Sequence, residues 1–328
     1  MPSPPRLVSR ARNPADSDKI RDSFVGQTQT MGQYAIIEAP SVLGLFPRGV
    51  ERLPDALLGA GLAERIGARR AGRVDPPPYD PQRDDETGLL NPVGLRNYSL
   101  LLADATDEVL DAGDTPIVLG GDCSIVLGTT LALRRRGRYG LLFLDGHADF
   151  YQPEAEPNGE AASMDLALAT GRGPVIVSDL EGRGPLVRDE DVVQLGRRDA
   201  EEAANAGSRR IEDTAIRVID AAAVRELGAQ RAGQDVVEHL VRPDLDGFWV
   251  HLDCDVLDDA IMPAVDYRLP GGLSWAELAT VLRTAVDTGR VAGIEVAIFN
   301  PDLDTDGRIA GDLVDCLAQA LSRAPSGS

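Results

Sequence analysis

Three apolar runs in this chain stop abruptly at residues that carry chemistry. Ile117-Val-Leu119 runs into Gly120-Gly-Asp-Cys-Ser124, Leu141-Leu-Phe-Leu144 into Asp145-Gly-His-Ala-Asp149, and Phe248-Trp-Val-His-Leu252 into Asp253-Cys-Asp-Val-Leu-Asp258. Runs this continuously apolar suit strands buried on both faces rather than strands with one wet face, and such strands belong to parallel sheets covered by helices. Helical spacing between the runs, as in Leu95, Tyr98, Leu101, Leu102 and Val109, supplies the cover. Strands are expected over 34–40, 115–119, 139–144, 191–195, 217–219, 247–252 and 291–299, and helices over 54–62, 95–110, 124–135, 220–228, 234–241, 275–288 and 309–323. The proline-rich stretch 72–92 reads as an irregular connection, and residues 1–33 as a flexible N-terminal arm ahead of a single domain over 34–328.

Composition narrows the function. Acids outnumber bases 53 to 33, a net charge of −20, which opposes binding to nucleic acid or to an anionic membrane surface. No apolar run approaches the roughly 18 residues of a membrane span. The first thirty residues hold no apolar core of a secretory signal, and three cysteines cannot build a disulfide framework, so a cytoplasmic location is expected.

In open parallel sheets, ligands bind beyond the carboxyl ends of the strands. Those ends present Cys123, Asp145, His147, Asp149, Asp253 and Asp255. Alternate positions of an extended stretch share a face, so Asp145, His147 and Asp149 can converge, as can Asp253 and Asp255. Four carboxylates in one buried pocket repel one another and resist desolvation unless a cation joins them. Oxygen donors with one imidazole suit Mn²⁺, and bridging carboxylates suit two metals roughly 3.5 Å apart. Taken singly, each Asp would pass as a helix cap or a turn residue; together they read as a metal site. His251 lies two residues before Asp253, shares its face, and is a further candidate for contact with the cluster.

These motifs resemble the ureohydrolase (arginase and agmatinase) family, whose pattern is G-G-D-H-S, D-A-H-x-D and D-x-D-x-x-D-P. The resemblance extends from about Ile36 to Ala320 and includes Gly49-Val-Glu-Arg-Leu-Pro54 and Phe299-Asn-Pro301. It implies a three-layer α/β/α fold with a mostly parallel eight-stranded sheet. It also implies a binuclear metal site in which Asp145 and Asp253 bridge, Cys123 and Asp149 complete the first metal, and His147 and Asp255 the second. A bridging water would attack the guanidinium-like carbon of a small guanidino substrate, with Asp145, Asp258 and Glu295 as the catalytic acids. Family members often form trimers or hexamers, so a homo-oligomer is expected.

Three departures qualify what the resemblance implies. Cys123 stands where the family has His, and a softer thiolate opens the site to Zn²⁺, Fe²⁺ or Ni²⁺ beside the expected Mn²⁺. Ala162 or Ser163 occupies the place of the histidine that shuttles protons in arginases. Ile298 takes the place of the glutamate that grips the guanidinium, whose N–H donors would be left unpaired against it. Asn158, Glu160 and Glu201 are the residues expected to bind substrate instead. The expected activity is therefore hydrolysis of a C–N bond in a guanidino or amidino compound other than plain arginine; the alternative is an arginase-like metal-binding protein with a scaffold or regulatory role. The EF-hand-like start Asp302-Leu-Asp-Thr-Asp-Gly307 lacks its closing acid, since Leu313 stands there, and Gly120-Gly121 lacks the Lys of a phosphate loop.

Overall fold

The sheet is built from the apolar runs. In the computed structural model, which describes residues 32–322, eight strands form one sheet: β1 (Tyr34–Ala39), β2 (Arg69–Arg73), β3 (Thr115–Gly120), β4 (Tyr139–Leu144), β5 (Val192–Leu195), β6 (Arg217–Ile219), β7 (Gly247–Asp253) and β8 (Val291–Ala297). Their order across the sheet is β2-β1-β3-β8-β7-β4-β5-β6. Every pairing is parallel, which sharpens the expectation of a mostly parallel sheet. Apart from residues Gly32 and Gln33, the arm expected over 1–33 lies outside the described residues.

β1, β3 and β7 are buried along their whole length, because helices cover both faces. Pro92–Asp111 packs on Val126–Arg136, and Trp275–Val286 packs on both Ala229–Leu240 and Arg308–Leu321. These helices make the α/β/α layering. No helix among the described residues is long and apolar enough to cross a membrane.

The strand missing from the sequence reading is β2. Its sequence, Arg-Arg-Ala-Gly-Arg, is mostly exposed and carries neither alternation nor an apolar run. It closes one edge with charge: Arg70 and Arg73 both pair with the buried Glu38 of β1. The stretch expected to be irregular from residue 72 therefore begins inside a strand. β8 ends at Ala297, two residues short of the expected run, because Ile298 turns out of the sheet with φ 69°.

β8 lies between β3 and β7, so of the three strands whose ends carry the donors only β7 and β4 are neighbours. Leu144 of β4 faces Leu252 of β7 in register, so the residues that follow, Asp145 and Asp253, emerge side by side.

Candidate metal centre

Each loop beyond the strands is held by backbone bonds that leave its donors facing one space. After β3, a Cβ on Gly121 would stand 1.7 Å from the Ser41 carbonyl oxygen, so only glycine lets this turn lie against the end of β1. Asp122 then accepts from Ser124 N (2.9 Å), Gly44 N (3.3 Å) and Ser41 Oγ (3.2 Å), which fixes the peptide that carries Cys123. After β4, Gln194 Nε2 donates to the carbonyls of Asp145 (3.1 Å) and His147 (3.0 Å), and Ala148 N donates to Asp199 (3.2 Å). After β7, Arg198 donates to the carbonyls of Asp255 (2.5 Å), Leu257 (3.0 Å) and Leu269 (3.0 Å).

The donors converge. Cys123, Asp145 and Asp253 offer ligand atoms within 4.8 Å of one another, and so do Asp145, His147 and Asp255. Asp145 belongs to both groups, whereas Asp253, also expected to bridge, belongs to the first alone. Cys123 Sγ donates to Asp253 Oδ2 at 2.9 Å, and His147 Nδ1 lies 2.9 Å from Asp255 Oδ2. Asp149, held at φ 45°, faces the same cavity but stands outside these groups. That cavity measures about 280 Å³, and its walls include Leu45, Asn158, Glu160, Ala162, Tyr267 and Ile298. A larger hollow of about 570 Å³, lined by Thr87, Pro153 and Val175 among others, contains none of the strand-end acids.

With protein charges alone the pocket favours protonated acids. Burial first, and then neighbouring carboxylates, push Asp149 and Asp253 well above the usual aspartate range, and Asp145 up to about 6. Burial and then the charge of Asp253 push the Cys123 thiol up. Burial alone would lower the pKa of His147, but Asp255 and Asp145 outweigh it and raise it well above the usual imidazole value; the same pairing holds Asp255 low against its own burial. Asp145 Oδ2 is buried and has no hydrogen-bond partner. A divalent cation answers both the repulsion and the orphaned oxygen, so the residues present fit a metal pair.

Not every expected residue reaches the cavity. Asp258 accepts from the backbone N–H groups of Ala260 (3.0 Å), Gly271 (2.6 Å) and Gly272 (3.1 Å), so it braces a loop and is not among the residues that line the cavity. Glu295 is fully buried behind the site, held by His251 Nδ1 (2.6 Å) and Thr129 Oγ1 (2.7 Å). Glu201 lies on the exposed surface of helix Ala200–Ala206, where Glu202 and Ala206 are the residues that line the cavity. Asn158 and Glu160 do line it, and Tyr267 Oη donates to Glu160 Oε2 at 2.6 Å while Oε1 stays buried without a partner.

Sequence reading missed Asp165. It opens the short helix Asp165–Ala169, every residue of which is buried, and neither of its carboxylate oxygens has a hydrogen-bond partner. An acid leading an otherwise apolar stretch, Met-Asp-Leu-Ala-Leu-Ala, was the available signal. His251, read as a candidate for contact, lies within ligand distance of both Cys123 and Asp165. His239 is half-buried on its helix and bonds to the Glu190 carbonyl, away from the strand ends.

Comparison with known proteins places this geometry in context. The family model described as arginase family matches residues 33–321. The arginase of Bacillus subtilis strain 168 is 30% identical over 293 residues, covering 86% of this chain and 96% of that protein. The solved arginase from Bacillus caldovelox is similar at a TM-score of 0.80 and 26% identity, covering 90% of this chain and all (100%) of the other. Proclavaminate amidino hydrolase from Streptomyces clavuligerus shares the fold at a TM-score of 0.65 and 20% identity, over 90% of this chain and 93% of that one.

Proposed function

The chain belongs to the arginase family, and from that premise we propose that it is a metal-dependent hydrolase cleaving a C–N bond of a guanidino- or amidino-type substrate other than plain arginine. The observation that carries the reading is Asp145, shared by two three-donor groups and left with one buried oxygen that has no hydrogen-bond partner.

Asp145 and Asp253 would hold both metals, Cys123 and Asp149 the first, and His147 and Asp255 the second. Mn²⁺ is the first ion to test, and the Cys123 sulfur brings in Zn²⁺, Fe²⁺ and Ni²⁺. When bound, the pair supplies Lewis acidity and neutralises the carboxylates. The protein's own side chains position the substrate. Glu160, fixed through Oε2 by Tyr267, has Oε1 free to accept an N–H of a planar amidinium. Asn158 adds a polar contact at the same wall.

Ile298 opposes plain arginine. It lines the cavity where the family's guanidinium-gripping glutamate would stand, and it can accept no hydrogen bond. Its φ of 69° is a conformation that β-branched residues avoid, and such backbone costs about 1–3 kcal/mol. Ala162 or Ser163 stands at the place of the proton-shuttling histidine, and both line the cavity. This replacement and Ile298 also favour a second reading, a metal-binding protein without turnover.

The test is a screen of guanidino and amidino compounds against the chain loaded with Mn²⁺ or with Zn²⁺, reading urea or substituted urea. Release from an N-substituted or scaffold-borne guanidine, with little from arginine, is the expected result. Metal uptake without release from any compound would favour the non-enzymatic reading.

A further inference from the structure

Behind the pocket lies a third set of donors. Cys123 Sγ, an Asp165 oxygen and a His251 nitrogen stand within 4.8 Å of one another, and all three residues are buried. Both oxygens of Asp165 lack a hydrogen-bond partner, and so does His251 Nε2, although neither side chain reaches solvent. Leaving such groups unmade costs about 1–3 kcal/mol each. An ordinary core hydrogen-bonds a buried acid and a buried imidazole and does not leave both without partners.

The far side of His251 is fully determined. Its Nδ1 meets Glu295 Oε1 at 2.6 Å, and Glu295 is anchored in turn by Thr129 Oγ1 at 2.7 Å. Phe143 stacks on the ring, with centroids 4.5 Å apart and 11° between the planes. A carboxylate on one nitrogen fixes the tautomer and presents the other nitrogen as a lone pair, which is how metal-binding histidines are held. A thiolate, an imidazole and a carboxylate together are a zinc donor set, and three protein ligands leave a fourth position open.

We infer that Cys123, Asp165 and His251 form a third metal position, selective for Zn²⁺ or a similar soft divalent ion, with Glu295 and Thr129 positioning His251. Cys123 is common to this set and to the Asp145–Asp253 group, so its sulfur joins the two sites. The inference goes beyond the binuclear reading, and its other donors, Asp165 and His251, have no part in that pair.

The full chain is stripped of metal, titrated with Co²⁺ and with Zn²⁺, and freed of excess ion by buffer exchange. Bound metal per chain, sulfur-to-cobalt charge-transfer absorption and the zinc-edge X-ray absorption spectrum are then read. Asp165→Asn keeps the side-chain volume and removes a buried charge, so it is the variant expected to fold; it should lose about one ion per chain and that ion's share of the charge-transfer band, the remainder coming from Cys123 on the binuclear pair. Asp145→Asn should keep the part of that band that comes from the third position while losing metal from the binuclear pair. The His147→Ala variant should still show both sulfur and imidazole around zinc, the imidazole being that of His251. Equal metal content and absorption in Asp165→Asn and the wild type, or zinc without imidazole in His147→Ala, overturns the third site. Loss of metal in Asp145→Asn alone would leave the binuclear reading standing without it.

Discussion

The Cys123 thiol donates a hydrogen bond to Asp253 Oδ2 across 2.9 Å, joining the turn after β3 to the end of β7. Sulfur and carboxylate here compete for one proton, and burial favours the neutral thiol. A divalent ion that displaces this proton turns the contact into a pair of ligands. Its affinity must therefore rise with pH, because the donors have to be deprotonated first. Replacing the sulfur by an imidazole removes the soft donor. Cys123→His should retain metal and shift the preference from Zn²⁺ towards Mn²⁺ by about tenfold, about 1.4 kcal/mol, measured by competitive titration. Complete loss of metal in this variant would mean that the thiolate geometry cannot be replaced.

Asp145 is the carboxylate common to both groups. Asp145→Asn should abolish binuclear metal binding and hydrolysis together while leaving the fold intact, read by elemental analysis, turnover and circular dichroism. Asp258→Asn should do neither; its oxygens serve the backbone of 260–272, so the expected effect is a lower melting temperature with metal content unchanged.

Arg198 ties the carbonyls that follow Asp253 to one guanidinium. Partners that orient metal ligands from outside typically contribute 10–100-fold in affinity. Arg198→Ala should weaken metal binding within about that range, and Arg198→Lys should recover only part of it, since an ammonium cannot reproduce the fork. Unaltered affinity in both variants would remove Arg198 from the account.

Stability of the metal-free protein should fall as pH rises. Asp145 is pushed up to about 6, and Asp149, Asp165 and Asp253 are also raised well above the usual value, so the folded state holds protons that the unfolded chain releases near the ordinary aspartate value of 3.8. More protons in the native state mean that stability declines between the unfolded and the folded pKa. His147, also raised, adds a loss in the same direction at higher pH, while the contribution of Asp255, whose pKa is lowered, is already complete above 3.8. Melting curves of the stripped chain from pH 4 upward should show a falling midpoint, and metal should flatten or reverse it. A midpoint that rises with pH in the stripped chain contradicts the pocket's electrostatics.

Ile298→Glu places an acceptor where the cavity lacks one. It should lower the KM for arginine by about tenfold, which a single charge-assisted contact can supply. Steady-state kinetics on arginine against the best substituted guanidine would show the change, and an unchanged ratio would take Ile298 out of specificity.

Much of this was legible in the sequence because burial writes itself in composition. β1, β3, β4 and β7 were found as apolar runs, and the metal-type residues stood where parallel strands put their ligands. β2 was not legible, since an exposed edge strand is held by pairing and not by hydrophobic pattern. Nor was the insertion of β8 between β3 and β7, which follows from long-range pairing alone. At the site, alternation brought His251 to the cluster, but its bond to Glu295 depends on the register of β7 against β8. Glu201 lies on the exposed side of its helix, whose neighbouring Glu202 lines the cavity, and no local pattern shows which side of a helix meets a cavity. Asp165 escaped because no local pattern shows that a buried acid lacks a partner.

The strand order has a further consequence for how the protein comes into being. Cys123 and Asp253 are separated by 130 positions, and the strands that close the gap between β3 and β4 are the last two to leave the ribosome. Until β7 and β8 slot into place, the nascent chain carries two half-sheets with apolar inner edges, one ending in Cys123 and the other in Asp145, His147 and Asp149, while Asp253 and Asp255 arrive with β7. Such a chain folds late and needs its edges shielded meanwhile. Metal capture then becomes the last event in biogenesis, and a truncated polypeptide ending before residue 247 would have no complete pocket in which to trap an ion.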